Sequence, residues 1–247
     1  MIQTFSLNLG GGSGTASQYT LDPTSTNFVY EWFEDFNNYQ FSTTQGNIPL
    51  WGIASGTGAQ NQRGTATSGE SNRVGIVQCS PGSASGAHYA HLINIQNIYL
   101  GGATHSFSTS IKLGTVPDGT NDYAFFSGFA INWPTPGNAA AILMIDRSVS
   151  TTNWQARTSR SGSSTTTDTG VAFSTSWTNL RVEINAAGTQ VTFYINGTLV
   201  ATHTTNLPDN TAIGPIACGR WVAGAAQTVN HDWVYYKYQL ASTRGTF

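Results

Sequence analysis

Twelve acidic residues could carry acid–base chemistry in this chain, and one group of them is tight: Glu31, Glu34 and Asp35 in the segment EWFEDF. Glycoside cleavage needs two carboxylates roughly 5–10 Å apart across the scissile bond. On a strand, Glu31 and Asp35 share one face while Glu34 takes the other. The three therefore make no same-face set, and structural or surface roles are expected for them. His88 and His91 stand three apart, on opposite faces of a strand or adjacent on a helix; without a third ligand they make no zinc site. His203 and His231 fall in strand-like stretches and read as hydrogen-bonded strand residues, since no Gly-x-Ser-x-Gly elbow supplies a nucleophile. Ser83-Ala84-Ser85-Gly86 reads as a loop. Gly10-Gly11-Gly12-Ser13-Gly14 lacks the preceding strand and following Lys-Ser/Thr of a phosphate cradle. No catalytic, cofactor-binding or metal-ligating residue is assigned, and the chain is expected not to be an enzyme. Calcium is the one cofactor left open: Asp118-Gly119-Thr120-Asn121-Asp122 has the oxygen-bearing residues of a calcium loop. It is equally an Asp-Gly turn, which is the favoured reading.

The elements that would position these groups are strands. Leu180, Val182 and Ile184 alternate with Arg181, Glu183 and Asn185, one face in and one face out. Val191, Phe193 and Ile195 repeat the pattern after a turn at 186–188. Asn196-Gly197 is the strongest short hairpin signal, because both positions of a type I′ turn need φ > 0. That turn also suffices to explain the Asn196-Gly197-Thr198 glycosylation sequon. Residues 180–205 thus read as a three-stranded meander. Phe28, Tyr30 and Trp32 alternate like a strand, and further strands are expected at 106–113, 123–133, 139–146, 153–158, 171–173 and 230–240. The Ser/Thr-rich stretch Ser159 to Thr169 is expected to be a loop, and 88–95 could be strand or short helix. Many short strands with Gly/Pro turns point to an all-β, antiparallel two-sheet jelly-roll sandwich.

Composition agrees. The 247 residues carry 9% charged and 12% aromatic side chains, with 27 Gly and a net charge of −2. A soluble domain averages about 25% charged residues, so the polarity here comes from Ser, Thr, Asn and Gln. Ten basic residues spread along the chain do not form a phosphate-tracking patch, so no nucleic-acid partner is expected. No run of 18 apolar residues supports a membrane span, and the first residues lack the basic and apolar regions of a signal peptide. Cys79 and Cys218, far apart in sequence, are expected to be buried reduced thiols. Residues 1–27 read as an extended N-terminal arm, with apolar points at Ile2, Phe5, Leu7 and Leu9 alternating like an edge strand. Residues 28–247 read as the sandwich domain.

Several segments resemble a module recurring in tailed-phage structural proteins. They are Thr152-Asn153-Trp154-Gln155, Thr167-Asp168-Thr169-Gly170-Val171-Ala172, Trp177 to Asn185, and Val191 to His203 followed by Asn206-Leu207-Pro208. The resemblance spans roughly 120–240, with a weaker match at Glu31 to Phe36. It is to the concanavalin A-like or laminin-G-like jelly roll of virion components. It implies a non-catalytic virion structural protein assembled in the host cytoplasm, as a capsid decoration or a fibre-like appendage. It implies partners among other virion proteins, the major capsid protein or a tail component, and a homo-oligomer, with a trimer preferred. The arm positions Ile2, Phe5, Leu7 and Leu9 would then attach by adding a strand to a neighbour's sheet. The alternatives are a lectin-like host-attachment protein that binds a surface glycan and, less favoured, a polysaccharide-cleaving enzyme.

Overall fold

The computed structural model describes residues 29–35, 53–55, 57–63, 70, 72–73, 75–92, 98–132, 135, 138–145, 152–208 and 212–241. The arm at 1–27, with Ile2, Phe5, Leu7 and Leu9, lies outside the described residues. Among those described, the chain is all β, without a helix. In order the strands are β1 (Val29–Glu34), β2 (Ile53–Ser55), β3 (Ala59–Arg63), β4 (Val77–Pro81), β5 (His88–Leu92), β6 (Ala103–Leu113), β7 (Asp122–Ala130) and β8 (Ala140–Ile145). They continue as β9 (Asn153–Arg160), β10 (Ser163–Ala172), β11 (Thr178–Ile184), β12 (Val191–Ile195), β13 (Thr198–His203), β14 (Gly214–Ala223) and β15 (Val229–Leu240).

The strands form two antiparallel sheets. The eight-stranded sheet runs β13-β12-β11-β6-β15-β4-β3, with β1 also pairing β15; the seven-stranded sheet runs β10-β9-β8-β7-β14-β5-β2. Sequence neighbours often sit in different sheets, as a jelly roll requires. One apolar layer fills the space between: Phe107, Ile111, Leu180, Val182, Val234 and Tyr236 from the larger sheet meet Phe125, Phe129, Leu143 and Trp154 from the smaller. Side chains alternate along each strand, so the residues between these face outward.

The meander forms as expected. Leu180 to Ile184 pair with Ile195 to Val191, and β12 turns into β13 through Asn196 (φ 50) and Gly197 (φ 81). The ambiguous stretch at 88–95 contains β5, which pairs with β14 and β2. One expectation is corrected: Ser159 to Thr169 is not a loop. β9 and β10 pair from Ser163↔Arg160 to Asp168↔Gln155 across the positive-φ turn Ser161-Gly162. The stretch looked like a loop because its side chains are polar and its strand is at the sheet edge. There the outward face meets solvent, and Thr favours the pleat without any apolar alternation.

Cys79 and Cys218 are buried thiols outside any disulfide, as expected. Burial pushes both well above the usual thiol range. Gly128 in β7 has φ 145, and a Cβ there would overlap the Ala141 carbonyl oxygen of β8. Only glycine fits at that crossing.

Candidate functional site

The two outer faces of the sandwich differ. On the seven-stranded sheet the outward positions form a second buried apolar cluster of Ala90, Phe126, Ile142, Met144, Ile216 and Cys218. On the eight-stranded sheet they are polar and partly open. The central strand β6 places Thr104, Ser106, Ser108 and Ser110 outward, opposite the core residues His105, Phe107 and Ile111. Larger residues flank these small ones in register. Ser106 lies between Glu183 of β11 and Lys237 of β15, and Ser108 lies between Arg181 and Tyr235. Small side chains on a middle strand between long ones on its neighbours make a trough along β6. It encloses about 350 Å³ and is lined by Thr104, Ser106, Ser108, Arg181, Glu183, Tyr235, Lys237 and Gln239.

The groups in this trough hold one another. Arg181 Nη1 lies 3.4 Å from Glu183 Oε1, and its guanidinium sits 3.9 Å over the Tyr194 ring. Ser106 Oγ donates to Glu183 Oε1 at 3.4 Å. Lys237 Nζ is 3.0 Å from Glu31 Oε1, the carboxylate that β1 delivers opposite it. The Lys237 contact is the main reason that Glu31 is held below the usual carboxylate range. Burial, and then the hydrogen bond to Glu31, push Tyr235 up to about 12, so its phenol stays protonated and donates. These ion pairs are exposed, and such pairs contribute at most about 1 kcal/mol. A ligand hydroxyl can therefore replace either partner at small cost. The trough thus offers donors, acceptors and a Tyr ring side by side.

Beyond Ser108 the trough is closed. Arg73 Nη1 donates to Ser110 Oγ at 3.4 Å, pairs with Asp232, and lies 4.0 Å over the Trp177 ring. Glu70 Oε1 accepts from Lys112 Nζ at 2.9 Å and from Trp177 Nε1 at 2.6 Å. Residues 70 and 73 thereby tie together β6, β15 and Trp177, the residue just before β11. Phe33, 58% exposed, lies beside Trp233 at 6.4 Å between ring centroids.

The residues singled out from sequence are dispersed. Glu31 does not line the trough but pairs with its Lys237; the backbone of Glu34 pairs with Val234. His88 and His91 sit on β5 opposite Arg220 and Ala217, at positions of opposite face, and His88 Nδ1 contacts the Gly86 carbonyl at 2.7 Å. His203 joins the sheets, with Nδ1 3.0 Å from Thr158 Oγ1 and Nε2 2.9 Å from Thr167 Oγ1. His231 is buried, with Nε2 3.3 Å from the Tyr89 hydroxyl. Both are hydrogen-bonded strand residues, as expected. In the acidic turn, Asp118 Oδ1 accepts from the amides of Thr120 and Asn121, each at 2.8 Å, and Asp122 Oδ1 from Gly119 at 3.0 Å. Those oxygens serve their own turn. Among the described residues no group of three or more His, Cys, Asp or Glu is arranged to hold a metal. Sequence reasoning missed Ser106, Ser108, Arg181, Glu183, Tyr235 and Lys237. Their one local signal was outward parity on strands with apolar alternate positions.

A family model described as "SO2946-like, C-terminal domain" matches residues 72–235. No curated protein matches the chain significantly in sequence. Among solved structures, the protein of unknown function SO2946 from Shewanella oneidensis MR-1 aligns with TM-score 0.59 and 15% identity, covering 91% of this chain and 92% of that one. An endo-1,3-beta-glucanase from Streptomyces sioyaensis aligns with TM-score 0.53 and 11% identity, over 85% of this chain and 96% of the glucanase. The Emp47p carbohydrate recognition domain aligns with TM-score 0.51 and 12% identity, over 84% and 94%. The fold is thus the concanavalin A-like jelly roll found in carbohydrate-cleaving and carbohydrate-binding proteins. The expectation that the chain is not an enzyme is corrected here, because the same fold carries a glucanase. The carboxylates were weighed along one strand, whereas the sheet brings distant segments together; Glu31 of β1 and Glu183 of β11 share a face with three strand spacings, about 14 Å, between their backbones.

Proposed function

The chain belongs to the SO2946-like, C-terminal domain family, and we propose that its sandwich recognises a carbohydrate in the trough on the outer face of the eight-stranded sheet. One observation carries this reading. A column of small, largely buried serines floors a trough between self-paired charges and a tyrosine, on a face that the core does not need. Sugar rings present alternating hydroxyls and apolar C–H faces, which such a mixture of donors, acceptors and aromatic surface satisfies. The jelly-roll relatives support it at the level of fold. The test is a glycan array read alongside release of reducing ends. The native chain should bind a restricted set of glycans, and Ser108→Trp, which fills the trough, should lose them while keeping its melting temperature. Absence of binding by the native chain, or equal binding by Ser108→Trp, would overturn the reading.

A second reading concerns the setting. The resemblance of residues 120–240 to tailed-phage structural modules favours a virion component, either a capsid decoration or a fibre-like appendage. It would act there as a homo-oligomer held by residues 1–27, and glycan recognition would serve attachment. Deleting residues 1–20 should leave the sandwich folded and remove the chain from purified particles. Full occupancy of particles by the truncated chain would contradict that role for the arm.

A further inference from the structure

We infer that the trough takes the end of a neutral oligosaccharide chain; this rests on the carbohydrate reading above and adds the ligand's charge and mode of entry. The charge follows from pairing. Among the described residues lining or bordering the trough, the cations Arg73, Lys112, Arg181 and Lys237 each stand within 4 Å of a carboxylate, those of Asp232, Glu70, Glu183 and Glu31 respectively. A uronate or sulfated chain lying here gains no surplus positive charge and meets Glu31 and Glu183 at close range. A neutral chain needs no counter-charge, and its hydroxyls substitute for the weak, exposed ion pairs of Arg181 and Lys237.

The mode of entry follows from Arg73. The serine column continues from Ser106 and Ser108 to Ser110, so the sheet alone would extend the trough. Ser110 is buried, with Arg73 donating to its hydroxyl. Arg73 is itself fixed by Asp232 and by the Trp177 ring, and that ring is tied through its Nε1 to Glu70. The trough is therefore stopped at Ser108 and lined outward to Thr104 and Gln239. The four residue steps from Thr104 to Ser108 give it a length of about 13 Å. A chain threading through would collide with Arg73, whereas a chain end entering past Gln239 fits.

The test is titration calorimetry with gluco-, manno- and galacto-oligosaccharides of increasing length, beside oligoglucuronates, oligomannuronates and oligogalacturonates, at low and high salt. The expected result is binding of a neutral series with affinity unchanged by salt. Affinity should stop rising at about three rings, the run that ~13 Å accommodates. Tighter binding of a uronate series, weakening at least tenfold with salt, would overturn the inference and leave the carbohydrate reading standing. Affinity rising steadily into long polymers would overturn end-on entry. Binding of neither series would overturn the carbohydrate reading itself, and the inference with it. Glu183→Gln separates the charge argument from folding. It should raise uronate binding relative to neutral binding several-fold while keeping the melting temperature, and an unchanged ratio of the two would contradict the argument.

Discussion

Acid should loosen this sandwich through His105 before its carboxylates titrate. His105 projects inward from β6, its Nδ1 3.0 Å from the Tyr236 hydroxyl and its ring stacked on Tyr236 and Tyr238 at 6.3 and 6.0 Å, with Phe129 edge-on. No carboxylate contributes to its shift. Burial alone pushes it down from 6.5 to about 4. The folded state therefore excludes a proton that the unfolded chain accepts. The resulting stability is complete above pH 6.5 and is lost as pH falls toward about 4. At 1.36 kcal/mol per pH unit, the full loss is about 3 kcal/mol, a large part of a typical domain's stability. Urea unfolding between pH 7 and pH 4 measures it, with His105→Gln as reference because Gln keeps a partner for Tyr236. The native protein should lose about 3 kcal/mol more than the variant across that window. His203, also lowered by burial, adds a slope of the same sign. Glu31 and Asp168, held low chiefly by their hydrogen bonds, act at the bottom of the range in both proteins and cancel. Parallel curves for the two proteins would refute the claim that His105 is kept neutral by burial.

Gly128→Ala should cost about 3 kcal/mol or more, because its Cβ would overlap the Ala141 carbonyl at a positive φ; denaturation midpoints would show it, and a shift below 1 kcal/mol would contradict that crossing. Gly197→Ala should cost about 1 kcal/mol through the left-handed turn alone, with no change of register. Cys79 and Cys218 should be inert to a thiol reagent in the folded protein and yield two equivalents on unfolding; fast reaction of either in the native state would place it at the surface.

The sandwich was legible wherever one face is apolar and the other polar. Leu180, Val182 and Ile184 exposed β11 in the sequence, and with it the outward position of Arg181 and Glu183. Asn196-Gly197 located the next hairpin. The β9–β10 hairpin was hidden because an edge strand of Ser and Thr buries little and shows no alternation. The trough was hidden for another reason. Nothing near Ser106 and Ser108 indicates that β6 lies between β11 and β15, since that adjacency is made by crossovers between the sheets. Thr109 and Trp233, joined by a 3.0 Å hydrogen bond across that pairing, are 124 residues apart. Carboxylates judged within EWFEDF were therefore judged in the wrong company. Glu31 of that segment pairs instead with Lys237 of β15.

Where a saccharide sits is the most direct test of this account. Amide chemical-shift mapping during titration with a neutral oligosaccharide identified by the calorimetry would show it. The trough reading predicts saturable shifts at Ser106, Ser108, Arg181, Glu183, Tyr235 and Lys237, and none across Phe126, Met144 and Cys218 on the opposite sheet. Shifts centred on that opposite sheet, with β6, β11 and β15 silent, would contradict it.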